Sequence, residues 1–272
     1  MSDTAPSLLV FGAHPDDCEY TAGGLAALYA RQGRRVCFVS VTNGDAGHQT
    51  LAGAQLARIR RDEARAAAEA LGVESLVLDN HDGELLPTLD RRREIIRIIR
   101  EFKPDLVLTP RPNDYHPDHR YTSILVQDAA YMVTVPNVVA HAEHLRINPL
   151  IMYVIDHFQK PYPFTPDVVV DVEPVIEQKF EAIHRHTSQM YEWLPYNARR
   201  IEEVPEGIEE RRAWLWAARE PNLRAVADRF RQQLIARYGA ERGAQITYAE
   251  AFEACEYGSP LTDEARQRLF PF

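Results

Sequence analysis

Several features that would mark whole classes of protein are missing from this 272-residue chain. It has only three cysteines, Cys18, Cys37 and Cys255, at wide and irregular spacing, which excludes both a disulfide framework and a cysteine-built zinc site. No apolar run approaches the ~20 residues that a bilayer-spanning helix needs, so no membrane partner is expected. The opening MSDTAPS lacks the basic stretch and long apolar run of a secretory signal, and a cytoplasmic protein is expected. An excess of positive charge is also missing: 31 Lys+Arg against 40 Asp+Glu leave a formal net charge of −9. The arginine clusters at Arg58 to Arg65, Arg91 to Arg93 and Arg199 to Arg200 mostly alternate with acids, as solvated helix faces do. Nucleic acid, which needs a concentrated basic face, is therefore not an expected partner.

What is present is a 45% hydrophobic chain, enough for one large core. Its first half alternates strand and helix. Strands are expected at Leu8 to Gly12, Val36 to Val41, Ser75 to Leu78 and Leu106 to Thr109, where short β-branched or apolar runs are bounded by polar residues. Helices are expected from a Thr21 cap to Gln32, over Gly53 to Leu71 ending at Gly72, over Arg91 to Phe102 with Asp90 as cap, and from an Asp118 cap to about Met132. This order predicts an α/β, Rossmann-like, mostly parallel sheet with helices on both faces. The second half is less regular: strands at Met152 to Phe158 and Val168 to Val172, a helix over Pro174 to Trp193, two helices at Ile208 to Ala218 and Asn222 to Tyr238, and a late strand within Ile246 to Phe252. One domain is expected over 1–272, with a core to residue 190 and a C-terminal helical elaboration from 191.

In such sheets ligands bind outside the carboxyl ends of the strands. The polar clusters fall there: HPDD after the first strand, TNGD after the second, DNHDGE after the third and RPNDYHPDH after the fourth. His14 and Asp17, three positions apart on a turn, can converge on one cation, and His116 to His119 supply a second cluster on the same rim. A mixed His/Asp donor set is the usual chemistry of catalytic zinc, with a position left open for water. Asp45, Asp82, His48 and His81, in the neighbouring rim loops, are candidates for touching substrate. The tryptophans Trp193, Trp214 and Trp216 read as core or interface rather than as a sugar platform.

The segments AHPDDCEYTAGG (Ala13 to Gly24), IRRDEA (Ile59 to Ala64), KPDLVLTP (Lys103 to Pro110) and HPDH (His116 to His119) resemble the LmbE-like, or PIG-L-type, N-deacetylases. The resemblance covers about residues 7–190; residues 194–245 find no counterpart in it. It implies a metal-dependent hydrolase that removes acetyl from an N-acetylglucosaminyl or similar sugar-conjugate substrate. His14, Asp17 and His119 match the family's zinc ligands, other divalent ions being alternatives. Asp16 matches its general base. His116 matches the histidine that stabilises the oxyanion and protonates the leaving amine, and Asp118 the acid that orients it. Arg60 matches an arginine that contacts a substrate or product carboxylate in some members. Relatives are often trimers or hexamers, which implies a homo-oligomer. Two positions differ from many members: Cys18 stands between Asp17 and Glu19, and Tyr115 precedes His116 where several members have arginine. Tyr115 and residues 194–245 are expected to shape the substrate pocket.

Two other classes compete. A dinucleotide-binding oxidoreductase fits the sheet pattern but not the loop FGAHPDD, which lacks the glycines that let backbone approach a pyrophosphate. A metal-binding protein without catalysis would have no need of Asp16 and His116. Within hydrolases, an amidase or esterase acting on a non-sugar substrate is the alternative.

Overall fold

The computed structural model describes residues 5–272. Seven strands form one sheet in the order β3-β2-β1-β4-β5-β7-β6, where β1 is Leu8–Gly12, β2 Val36–Ser40, β3 Glu74–Val77, β4 Leu106–Thr109, β5 Leu150–Val154, β6 Val168–Asp171 and β7 Ala249–Ala254. The first five pair in parallel; β7 is antiparallel to both β5 and β6 and lies between them. The Rossmann-like expectation holds, with an antiparallel edge added by the second half.

Alternation along β1 distributes its side chains to two cores. Leu8 and Val10 pack on one face with α1 (Asp17–Arg31), α2 (Gly53–Leu71), α5 (Ile176–Arg185) and α10 (Asp263–Leu269). Leu9 and Phe11 pack on the other with α3 (Leu89–Phe102) and α4 (Pro117–Met132). On α3, Ile95, Ile98, Ile99 and Phe102 are all buried, the apolar stripe expected of a helix lying on a sheet. At about 1.5–3 kcal/mol for each large apolar side chain removed from water, that stripe holds the helix in the core on this face of the sheet.

Helix boundaries depart from expectation where a side chain has another partner. Helix α1 begins at Asp17, not beyond a Thr21 cap; the Thr21 hydroxyl donates to Asp17 O within the helix. Thr88, not Asp90, caps α3, and His116, not Asp118, caps α4. The helix expected over Pro174 to Trp193 stops at Arg185, and a π-helical stretch follows at Ser188–Trp193 before the short α6, Leu194–Asn197. The carboxylate of Glu63, on α2, accepts from both Ser188 N and Ser188 Oγ (2.6 and 2.7 Å) and so stabilises that break. Conversely, α7 runs unbroken over Ile208–Arg229 through Pro221. Leu215 and Ala227, buried on either side of the proline, anchor both halves against its cost of about 3 kcal/mol. Two short helices, α8 (Arg231–Tyr238) and α9 (Ala240–Gln245), lead into β7.

Candidate metal and catalytic site

Strand order reverses between β1 and β4, since β1 is followed in space by β2 on one side and β4 on the other. The loops leaving β1 and β4 therefore open a crevice at their carboxyl ends. His14 to Asp17 come from the first loop and His116 to His119 from the second.

Asp17 closes its own turn: one oxygen, Oδ2, accepts from Ala13 N and His14 N, both at 2.8 Å. The same oxygen lies 3.6 Å from His14 Nδ1 and 3.4 Å from His119 Nε2, and those two nitrogens are 3.3 Å apart. A tetrahedral ion with bonds of about 2.0–2.1 Å separates its ligand atoms by about 3.3 Å, so the trio fits a divalent ion such as zinc. The outer nitrogens also have carboxylate neighbours. His119 Nδ1 is 3.1 Å from Asp114 Oδ2, and His14 Nε2 is 3.1 Å from Asp82 Oδ1 and 3.3 Å from Asp118 Oδ2. Carboxylates behind ligating histidines fix the ring and raise its basicity. A second donor group, His14, Asp82, His116 and Asp118, shares His14 with the trio. Its Asp118 oxygens accept from Gly83 N (2.7 Å) and Leu85 N (3.2 Å).

The electrostatics follow from this crowding. Burial would depress His14 and His119, yet the carboxylates around them raise both above 6.5, His14 well above it. Burial would raise Asp17, but His119 and His14 hold its carboxyl far below the ordinary range. Asp114, Asp82 and Asp118 are also burial-raised in isolation and are lowered by their histidine neighbours. Asp16 is different. Burial raises it, only partly offset by Arg60. Its backbone sits at φ 149°, a strained setting for a residue with a side chain, of the kind concentrated at functional sites. Its Oδ1 accepts from the Arg60 guanidinium at 3.1 Å. Asp16, Arg60, Asp82, His116, Gln189 and Trp193 wall one cleft of about 400 Å³ that also reaches His14, Asp17 and His119.

Most of the sequence-predicted residues come together, but several of them take different surroundings from those expected. The carboxylate of Asp118 turns to His14 and to the loop after β3 rather than to His116, because that loop's two N–H groups and the His14 ring outcompete it. His116 Nδ1 instead accepts from Asp118 N at 3.2 Å, and burial together with the charges of His14 and His119 lowers the His116 pKa. With Nδ1 accepting, a neutral His116 ring carries its proton on Nε2, a different arrangement from the expected ring held protonated by Asp118. Asp45 does not wall the cleft; its Oδ2 meets His81 Nδ1 (2.6 Å) and its Oδ1 accepts from Asp82 N (3.0 Å), tying two rim loops together. Asp82 lies on the cleft wall but against His14. Arg60 is buried, and its guanidinium also donates to Pro15 O, so it restrains the strained loop. Tyr115 is exposed, its ring 5.9 Å from that of His116. His48 pairs with Glu192 at 2.8 Å, and His81 stays exposed.

Sequence reasoning missed Asp114, Gln189 and the cleft-facing role of Trp193. Asp114 was legible in principle, as an acid five positions before a ligand histidine in the same rim loop. Gln189 and Trp193 reach the cleft from the π-helical stretch, whose break in the helix no local pattern signals. Trp214 and Trp216 pack at the edge of a core cluster, as expected.

The doubly wound sheet thus brings a His/Asp trio able to hold a divalent ion and an adjacent carboxylate, Asp16, together at its switch point. The sequence profile of the family described as PIG-L: GlcNAc-PI de-N-acetylase matches residues 9–130. Diacetylchitobiose deacetylase of Thermococcus kodakarensis is 32% identical over 200 residues, 70% of this chain and 74% of that one. The chain belongs to the PIG-L (LmbE-like) family. A 4-oxalmesaconate hydratase of Pseudomonas putida is 28% identical, over 72% of this chain and 79% of that one. Among solved structures, N,N'-diacetylchitobiose deacetylase from Pyrococcus horikoshii superposes with a TM-score of 0.72 at 26% identity, covering 96% of this chain and 89% of that one.

Proposed function

We propose that this chain is a zinc-dependent N-deacetylase that hydrolyses the acetamide of an N-acetylglucosaminyl conjugate. The single observation that carries the reading is the His14–Asp17–His119 trio, with ligand atoms 3.3 to 3.6 Å apart, and the strained, unligated Asp16 beside it. The similarity to deacetylases acting on N-acetylated sugars supports the substrate class. A divalent ion held there lowers the pKa of water toward ~7 and sets positive charge beside a developing oxyanion.

The chain's own residues do the rest. Asp16, partly buried and unligated, takes a proton from the attacking water. The water oxygen bonds to the acetyl carbon, and His116 Nε2–H donates to the oxygen on which negative charge collects. When the C–N bond breaks, Asp16 returns its proton to the departing nitrogen. Acetate and an ammonium product result once the second water proton has equilibrated. Arg60 holds Asp16 toward the cleft; Asp82, Asp118 and Asp114 orient His14 and His119. Tyr115 borders the cleft mouth and contributes to substrate choice. Residues 191–272 act with 1–190 as one unit, a reading supported by β7 lying between β5 and β6. The three buried free cysteines suit a reducing, cytoplasmic setting.

The test is acetate release from N-acetylglucosaminyl compounds with varied aglycones, using metal-replete protein. Release from at least one sugar conjugate is expected. No release from any, together with hydration of an unsaturated dicarboxylate such as 4-oxalmesaconate, would overturn the deacetylase reading.

A further inference from the structure

The carboxyl rim carries a larger cavity than the catalytic cleft. It measures about 580 Å³ and lies on the β5 side, walled by the first turns of α1, the residues after β5 and the exposed helix α7. A smaller cavity of about 200 Å³ joins the two. It shares Asp17, Tyr115 and His119 with the catalytic cleft, and Thr21, Ile155 and His157 with the large one.

The charges facing the large cavity do not cancel. Its two acids are already paired: Glu250 with Lys179 at 2.6 Å, and Asp156 with Arg111 through two contacts of 2.6 Å. Its remaining cations are not. Arg219 is partly buried, its Nε is shielded from solvent with no hydrogen-bond partner, and its guanidinium lies 5.6 Å from the Tyr20 ring centre. Among the described residues no carboxylate pairs with it. Arg229, which is exposed, donates among the described residues only to backbone carbonyls, Asp156 O (2.9 Å) and Phe164 O (3.4 Å), which leave its charge uncancelled. Two neighbouring arginines on the same stretch do find acids: Arg224 with Glu220 and Arg231 with Asp228. With both acids of its lining already paired, Arg219 and Arg229 leave this cavity wall net positive in a chain with 40 acids against 31 Lys and Arg, and an external anion would supply the counter-charge. Guanidinium presents planar, forked donors that suit a carboxylate or a phosphate.

We propose that this cavity is a subsite for an anionic group, carried on the part of the substrate remote from the acetamide, with Arg219 as its principal contact and Arg229 as its second. This rests on the deacetylase reading only for the identity of the rest of the substrate. Three probes of one length test it: uncharged N,N'-diacetylchitobiose, N,N'-diacetylchitobionic acid with a terminal carboxylate, and the disaccharide's 1-phosphate. Calorimetry on metal-replete Asp16→Asn protein reads binding without turnover, and steady-state acetate release on the unsubstituted protein separates KM from kcat. A charge-assisted contact at a partly buried arginine predicts that an anionic probe binds about tenfold or more tightly than the neutral one, with the gain in KM rather than kcat. Whichever anion gains more identifies the group. Arg219→Gln removes the preference, Arg219→Lys keeps part of it, and the control Arg224→Gln keeps all of it. Equal binding of all three probes, or a preference that survives Arg219→Gln, overturns the subsite. A preference in calorimetry that Arg219→Gln removes, with no acetate released from any probe, supports the subsite and overturns the deacetylase reading instead.

Discussion

Asp16 and Asp17 are chemically identical neighbours, so only geometry gives them separate tasks, and near-isosteric replacement separates those tasks. Asp17 Oδ2 accepts from Ala13 N and His14 N at 2.8 Å and also faces His14 Nδ1 and His119 Nε2. In Asp17→Asn the amide oxygen keeps the backbone bonds only as a neutral acceptor. Exchanging two charge-assisted bonds for neutral ones costs about 1–3 kcal/mol of stability. The ion loses its only anionic ligand in the trio, and affinity should fall by more than the 10–100-fold typical of losing an outer partner. Asp16→Asn leaves all three ligand atoms in place but removes the proton acceptor, at a cost of about 10²–10⁴-fold in turnover. Metal content after dialysis, read by elemental analysis, and acetate release give a two-by-two pattern. Asp17→Asn should be metal-poor; Asp16→Asn should be metal-replete and slow. If the pattern is reversed, the assignments are reversed, and if neither change slows turnover the reasoning is refuted.

Three further outcomes are expected. His14 and His119 are raised above 6.5 in the metal-free protein, so their contacts with Asp17, Asp82, Asp118 and Asp114 stabilise it fully below pH 6.5 and fade as pH rises through the raised values. Its thermal midpoint should therefore decline above pH 6.5, and metal uptake at pH 7 should release protons, measurable by calorimetry in buffers of different ionisation enthalpy; uptake without release contradicts this. Asp114→Ala removes the acceptor behind His119 and should weaken metal binding by about 10–100-fold in a competition titration with a chelator, while unchanged affinity would show that Asp114 does not support the ligand. Lys179→Met leaves Glu250 buried without its counter-charge, although Gly24 N and Leu25 N still donate to it, and should cost about 3–5 kcal/mol in a denaturant titration. Adding Glu250→Gln should restore part of that loss; no loss in the single variant would mean the pair is solvated.

The sheet and its rim were legible because β1, β2 and β4 are short apolar runs with polar clusters after them, and hydrophobic periodicity reports such elements directly. Helix α2 was legible to the residue, since its C-terminus falls at Gly72, whose φ of 72° favours glycine. Caps were less legible. Thr21, Asp90 and Asp118 all have capping side chains, but a cap depends on which N–H groups compete for it, and the Asp118 oxygens were taken by a loop more than 30 residues away in sequence. Pro221 misled for the same reason, because long-range packing on both sides outweighed a local rule. At the site, the ligand trio was visible as two His/Asp clusters after two strands. The outer partners were not, since Asp82, Asp114 and Asp118 are distinguished only by where their oxygens point. The cleft wall from Gln189 and Trp193 depends on Glu63 reaching across from α2 to Ser188, a contact with no local signature.

The most direct measurement is acetate release followed while zinc is added back to metal-free protein, beside a His119→Ala control. The account predicts that activity rises from near zero and saturates at about one ion per chain, and that the control neither retains zinc nor gains activity. Full activity without metal, or a His119→Ala protein that binds zinc and turns over normally, would contradict it.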